Sequence, residues 1–396
     1  MSGTPPRASS GLPATFWWLF AGQGVTAIAT FVFPFLALFL GSRGLSPGAI
    51  GLVAGLYGAG SIPAGPWVGS LADRFGRRTT LLVALVIAAL LTALLPLLTT
   101  TAALVFDVLA LGLAVHAYFP VMNAVVADVL PEDRYVDAYG LLYWERNVGL
   151  ALSFAVGGGL AVHGYARLFL ADAATTFLFA CLVFSRVPET RPPLKARRGE
   201  PVRGFREVLG DRDLLALLGL LVAFLLVLFQ FMVALPIAMS FLGLGPRDYG
   251  RAMAVNGLMI ALLQPAAARF TRGRDEGKVL ALAALCAGAG TGCYTLCQTA
   301  FEFAAATALW TLGEILTLPT ISALVSRLAP PDLRGRYQGL LGLCFGLGLT
   351  LAPALGGVVL GRLGPRWLWT GSAALGASLA FLQLWAGRAR ARRIRG

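Results

Sequence analysis

Long apolar stretches, separated by short basic or Gly/Pro-rich breaks, dominate this chain of 396 residues. About 20 apolar residues in a helix rise roughly 30 Å, the thickness of a bilayer's hydrocarbon core. Backbone N–H and C=O groups find no water there, so such segments must close their own hydrogen bonds as helices. Twelve runs can be read, over about 15–40, 47–70, 79–99, 101–127, 137–162, 167–187, 213–241, 247–269, 278–299, 302–327, 335–361 and 366–386. Only 13% of residues are charged and 57% are hydrophobic, where a soluble domain carries about 25% charge. The expected class is an all-α integral membrane protein of twelve transmembrane helices.

The net charge of +13 is a topology signal, not a nucleic-acid footprint. With the N-terminus inside, 25 of the 32 Lys and Arg residues fall on one side and six on the other, with Arg146 alone inside a span. The positive-inside rule then places both termini in the cytoplasm of a cell whose inner membrane the protein spans. The five cysteines lie within apolar runs and form no CxxC or Cys/His cluster, so neither a metal nor a disulfide is expected.

The two halves repeat. A shift of 199 residues superposes Gly44 on Gly243, Pro47 on Pro246, Gly51 on Gly250, Gly58 on Gly257, Pro66 on Pro265, Pro120 on Pro319, Asp133 on Asp332, Gly149 on Gly348 and Gly157-Gly158 on Gly356-Gly357. The proline-rich break divides the chain into a six-helix bundle over 1–187, a cytoplasmic linker over 188–212 with a short helix near Phe205–Leu209, and a second bundle over 213–396. A duplicated unit with both halves in the same orientation gives two pseudo-symmetric bundles about an axis along the membrane normal.

Between the second and third runs stands Gly69-Ser-Leu-Ala-Asp73-Arg74-Phe-Gly76-Arg77-Arg78. This stretch resembles the signature loop of the major facilitator superfamily. The resemblance implies that Asp73 meets the N-terminal end of helix 11, whose dipole favours an anion, and that Arg77 or Arg78 pairs with Asp128. The glycine stripes Gly149-x3-Ser153-x3-Gly157 and Gly348-x3-Ala352-Pro353-x2-Gly356 are similar to the motif that drug/proton antiporters of that superfamily carry on helix 5. Small residues four apart let helices approach closely.

Charges inside a membrane are expensive and need a pairing or a function. Glu145 and Arg146 on helix 5, His116 on helix 4 and Glu314 on helix 10 fall near midplane, and Asp107 lies farther out on helix 4. Glu145 is expected to pair with Arg146. Glu314, with no basic neighbour on its own helix, is expected to be the proton carrier, with Glu145 in reserve and Asp107 and His116 as further proton-coupling candidates, and Asp172 to anchor the start of helix 6. Gln23, Pro34, Tyr143, Arg146, Asn147, Gln230 and Trp310 are the candidate cavity residues, with Pro34 and Pro236 kinking helices 1 and 7.

Lys195 and Lys278 are the chain's lysines, and neither stands in GxxxxGK[ST]. With no nucleotide cradle and no cofactor expected, transport must run on a gradient. The reading is a monomeric, non-enzymatic secondary transporter, working by alternating access on protons and a small-molecule substrate in a lipid bilayer: an exporter of small amphipathic compounds. An importer or uniporter of sugars or metabolites and a lipid flippase remain as alternatives on the same fold.

Overall fold

The computed structural model describes residues 12–131, 134–190, 205–330 and 333–395. Much of the expected linker (191–204), the first eleven residues and the repeat pair Asp133/Asp332 lie outside this range. The described chain is helical throughout: α1 Ala14–Ile28, α2 Val32–Ser42, α3 Pro47–Ala59, α4 Ser61–Phe75, α5 Arg77–Leu94, α6 Thr101–Val129, α7 Tyr135–Ala161, α8 Tyr165–Arg186, α9 Phe205–Leu209, α10 Arg212–Leu228, α11 Ala234–Phe241, α12 Pro246–Thr271, α13 Glu276–Cys293, α14 Ala300–Leu328, α15 Arg334–Leu363 and α16 Pro365–Arg395. Ser46, Thr100, Asp211, Asp275 and Thr299 start their helices by accepting a first-turn amide, as short oxygen-bearing side chains do.

Eight helical stretches among the described residues are long and apolar enough to cross a membrane, nine if the bent pair Pro47–Ala64 and Trp67–Phe75 is one span. Helices α7, α13 and α16 are not among them. Charges explain one of these cases, since Asp137, Glu145 and Arg146 interrupt α7, and separately α16 runs on to Arg395, beyond the apolar run's expected end at 386. Alanine and arginine are strong helix formers, so the basic tail continues the helix instead of ending it.

Three of the expected runs are broken. The first splits into α1 and α2 because Pro34, the third residue of α2, has no N–H to offer Thr30 four residues back. The freed Thr30 carbonyl accepts instead from the Ser153 hydroxyl on α7 at 2.8 Å. A second break separates α10 from α11, where Pro236 again sits third in its helix after the 3-10 turn Phe229–Met232. There the Tyr249 hydroxyl of α12 donates to the Phe231 carbonyl at 3.0 Å. The third break, α3 to α4, passes through Gly60, which lies against Gly112 and Leu113 of α6.

The two halves meet through crossed helices, α3 on α15 and α7 on α12. Gly51 lies against the backbone of Pro353 and Gly357, and Gly58 against Leu349 and Thr350. Their counterparts 199 residues on, Gly250 and Gly257, lie against Phe154 with Gly158 and against Ala151. A side chain at any of these four glycines would collide with backbone atoms of the facing helix. The contact runs from the far end, opposite the linker, to Gly346 against Ser61 and Ile62. Toward the linker end it stops: Gly69, Gly140, Gly339 and Gly342 face open space. The buried core follows the same division. One cluster joins both halves around Phe35, Phe154, Tyr249 and Trp310, and another, around Leu81, Val125 and Phe179, belongs to the first half alone.

Candidate transport cavity and its gates

Two intramembrane carboxylates, one in each half, are each held by a side-chain amide. On α7, Glu145 accepts from Gln23 Nε2 at 3.0 Å, and the same amide also donates to the Leu142 carbonyl at 3.2 Å. The second oxygen of Glu145, Oε1, is buried without a hydrogen-bond partner against Gly24. On α14, Glu314 accepts from Asn256 Nδ2 at 2.8 Å, an amide that also reaches Thr311 Oγ1 at 3.1 Å.

Arg146 does not pair with Glu145. Adjacent residues on a helix point about 100° apart, and Arg146 turns over the rings of Phe119 and Tyr143, 5.7 and 5.9 Å from their centroids. Among the described residues the expected Glu145–Arg146 pair does not form, and Glu145 accepts from the Gln23 amide instead. Tyr143 completes this wall, with its carbonyl accepting from Asn147 Nδ2 at 2.7 Å.

Other candidates lie apart from this pair. His116 bonds the Gly112 carbonyl through Nδ1 at 2.7 Å and packs edge-on against Tyr57. Asp107 is 4% exposed, and both its oxygens are buried without a partner among the described residues. Trp310 is buried inside the second half, donating to the Tyr294 hydroxyl at 2.6 Å and stacked on Phe231. Gln230 bonds the Leu226 and Ala352 carbonyls and presses its Oε1 onto Gly356. The stripe glycines serve the same close packing: Gly149 against Ala27, Gly157 against Phe31 and Phe35, and Gly348 against Leu225 and Phe229.

Asp172 anchors a helix, though not its own. It lies two turns into α8, and its Oδ2 accepts from the Phe31 and Val32 amides at 2.7 and 3.0 Å, capping α2 inside the broken first span.

At the linker end, Arg77 Nη1 meets Asp128 Oδ2 at 2.8 Å and the Ala124 carbonyl at 2.7 Å. Asp73 and Arg74 are exposed, and among the described residues Asp73 makes no hydrogen bond or ion pair with α15. Gly76 takes φ +99° and brings the chain tight against Glu189, whose carboxylate accepts from the Arg77, Arg78 and Thr79 amides at 2.7, 3.2 and 3.4 Å. Arg78 bonds the Phe184 carbonyl and lies over that ring. Sequence reasoning missed Glu189, hidden between prolines, and Asn256, the one amide side chain of the eighth apolar run before Gln264.

The sequence profile of the Major Facilitator Superfamily matches residues 19–339 and 231–395. The chain belongs to this superfamily. It is 28% identical over 308 residues to the uncharacterized MFS-type transporter YhjO of Bacillus subtilis (strain 168), covering 75% of this chain and 73% of that one. It is 27% identical over 357 residues to a Na(+), Li(+), K(+)/H(+) antiporter of Planococcus maritimus, covering 81% and 84%. Among solved structures, the nucleoside transporter NupG superposes with a TM-score of 0.82 at 13% identity over 93% of this chain and 99% of that chain. A peptide transporter POT in complex with alafosfalin superposes at 0.81 and 16% identity, over 99% and 98%. The likenesses to solved structures fix the fold, and membership of the superfamily makes this a multi-pass membrane transporter, not an enzyme.

Proposed function

We propose that this transporter exchanges protons for small amphipathic compounds and exports them by alternating access. In this reading all twelve apolar runs cross the cytoplasmic membrane, in bundles 1–187 and 213–396, with the 188–212 linker and both termini in the cytoplasm and the monomer as working unit. The observation that carries it is the pair of intramembrane acids Glu145 and Glu314, one in each half and each held by one amide. A carboxyl placed between two alternately opened sides can take a proton from one and release it to the other. The rings of Phe119 and Tyr143 and the shortage of polar groups suit an apolar-bodied substrate better than a sugar. With the linker inside, the closed far end and the exposed Asp73 correspond to a cavity open to the cytoplasm, and Asp73 would meet α15 only after the halves rock.

The test is uptake of a lipophilic cationic dye into proteoliposomes under an imposed pH gradient. Accumulation that follows the gradient and collapses with a protonophore supports the reading; gradient-independent equilibration overturns it.

A second reading, exchange of a monovalent metal cation for protons, is favoured by the Planococcus relative and by the unpartnered oxygens of Glu145 and Asp107. Proton release driven by added Na⁺ or K⁺ without any dye would select it.

A further inference from the structure

A cavity of about 400 Å³ opens at the far end of the second half, away from the central carboxylates. Its walls are Ala238 and Phe241 of α11, Tyr294 after α13, Phe303 of α14, and Arg366 and Trp369 in the first turn of α16. That volume falls in the range of sites that hold a small ligand, roughly 300–1,000 Å³.

The lining is mostly aromatic and aliphatic, with Arg366 as its formal charge. The nearest acid in the chain, Glu302, is turned to the Gln298 and Thr299 amides at 2.6 and 2.9 Å. Thr295 Oγ1, in the wall, is buried without a partner. Beside the mouth, Phe241, Leu296, Phe301 and Trp367 are 58, 79, 81 and 67% exposed. Phe241, Phe301 and Trp367 stand at helix ends and Leu296 in the turn between α13 and α14, where large apolar and aromatic side chains meet the bilayer interface. An apolar cavity, an aromatic rim at headgroup level and a cation without an ion pair among the described residues together match an amphiphile with a hydrocarbon chain and an anionic head.

We propose that this cavity binds an anionic glycerophospholipid of the far-side leaflet, with one acyl chain among Phe241, Phe303 and Trp369 and the phosphate on Arg366. The site has a consequence for gating. α11 is one of its walls, and the Tyr294 hydroxyl in another wall holds Trp310, whose ring stacks on Phe231 in the break before α11 at 5.7 Å and 8°. A bound lipid braces α11 against α16 in the state with the far end closed. The inference needs only the membrane placement of this end, not the proton coupling proposed above.

The test is native mass spectrometry of the detergent-purified protein incubated with phosphatidylglycerol or phosphatidylcholine, with quenching of tryptophan fluorescence by brominated acyl chains. Wild type should retain one phosphatidylglycerol about fivefold more tightly than phosphatidylcholine, as expected of one arginine at a lipid phosphate. Arg366→Gln should remove that preference with the fold intact, and Ala238→Phe should fill the cavity and abolish retention and quenching. Equal retention of both lipids by wild type, or unchanged phosphatidylglycerol binding in both variants, overturns the proposal. So does displacement of the lipid by the transported dye in simple competition, which would make the cavity a substrate site.

Discussion

Arg77 at the start of α5 pairs with Asp128 at the end of α6, and the residues 199 further along, Glu276 and Arg327, form the same pair with the charges exchanged. The second-half arrangement agrees with the helix dipoles, which favour an anion at an N-terminus and a cation at a C-terminus. The first half opposes them, and there Glu189 supplies the missing anion to the start of α5. Its counterpart 199 positions on is Arg388, also of reversed sign. Arg77→Glu should therefore destabilise the protein by about 2–4 kcal/mol, since it leaves Asp128 facing a like charge. Adding Asp128→Arg should restore most of the loss, and Glu189→Arg on top should restore the rest. Thermal unfolding in detergent reads this series, and a double variant no better than the single one would refute the equivalence of the two pairs.

The broken first span makes a second prediction. Asp172 binds two backbone amides of α2 with one carboxylate oxygen, in a region without water to replace it. Asp172→Ala should cost about 2–3 kcal/mol, the scale of charge-assisted hydrogen bonds left unmade. Asp172→Asn keeps an acceptor and should lose less. Melting temperatures in the order wild type, Asn, Ala are expected; equal values for the two variants would deny Asp172 its capping role.

Closure of the far end depends on backbone contact at Gly51 and Gly250. Gly51→Val and Gly250→Val should each wedge the halves apart there, raising the reactivity of a cysteine placed at position 244 toward a membrane-impermeant reagent. Gly159→Val is the control, because nothing lies within 4 Å of a side chain at that position. If the control opens the far end as much as the other two, glycine contact is not what seals it.

Much of this was legible in the sequence because membrane helices announce themselves locally. Apolar runs, the 199-residue repeat and the prolines at 34 and 236 depend on neighbours in the chain, and the helices and the two breaks follow them. Charge pairing does not. Glu145 and Arg146 are adjacent in sequence, yet helix geometry sends them to different partners, one to Gln23 on α1 and the other to the rings of Phe119 and Tyr143. Likewise Asp172 caps a helix 140 residues away in the chain, a contact that only the packing of α8 on the broken span creates.

Coupling is tested by neutralising the two central acids separately. On the proposed function Glu314 carries the proton and Arg146 is the cation of the opposite half that it answers to, so protonating Glu314 is expected to weaken an attraction between the halves. Glu145 has no cation partner; its amide partner, Gln23, belongs to its own half, and its proton need not alter how the halves attract each other. Glu314→Gln should therefore imitate the protonated state permanently, leaving dye binding intact but uncoupling transport from the pH gradient. Glu145→Gln should preserve gradient-driven transport at a reduced rate, because Gln23 can still donate to the amide oxygen. Replacing Arg146 with methionine should uncouple as Glu314→Gln does, and combining the two should add nothing further if both remove the one proposed interaction. Proteoliposome uptake with and without the gradient measures all four proteins. If Glu145→Gln abolishes accumulation and Glu314→Gln does not, the proton travels on the first half and Arg146 serves the substrate instead.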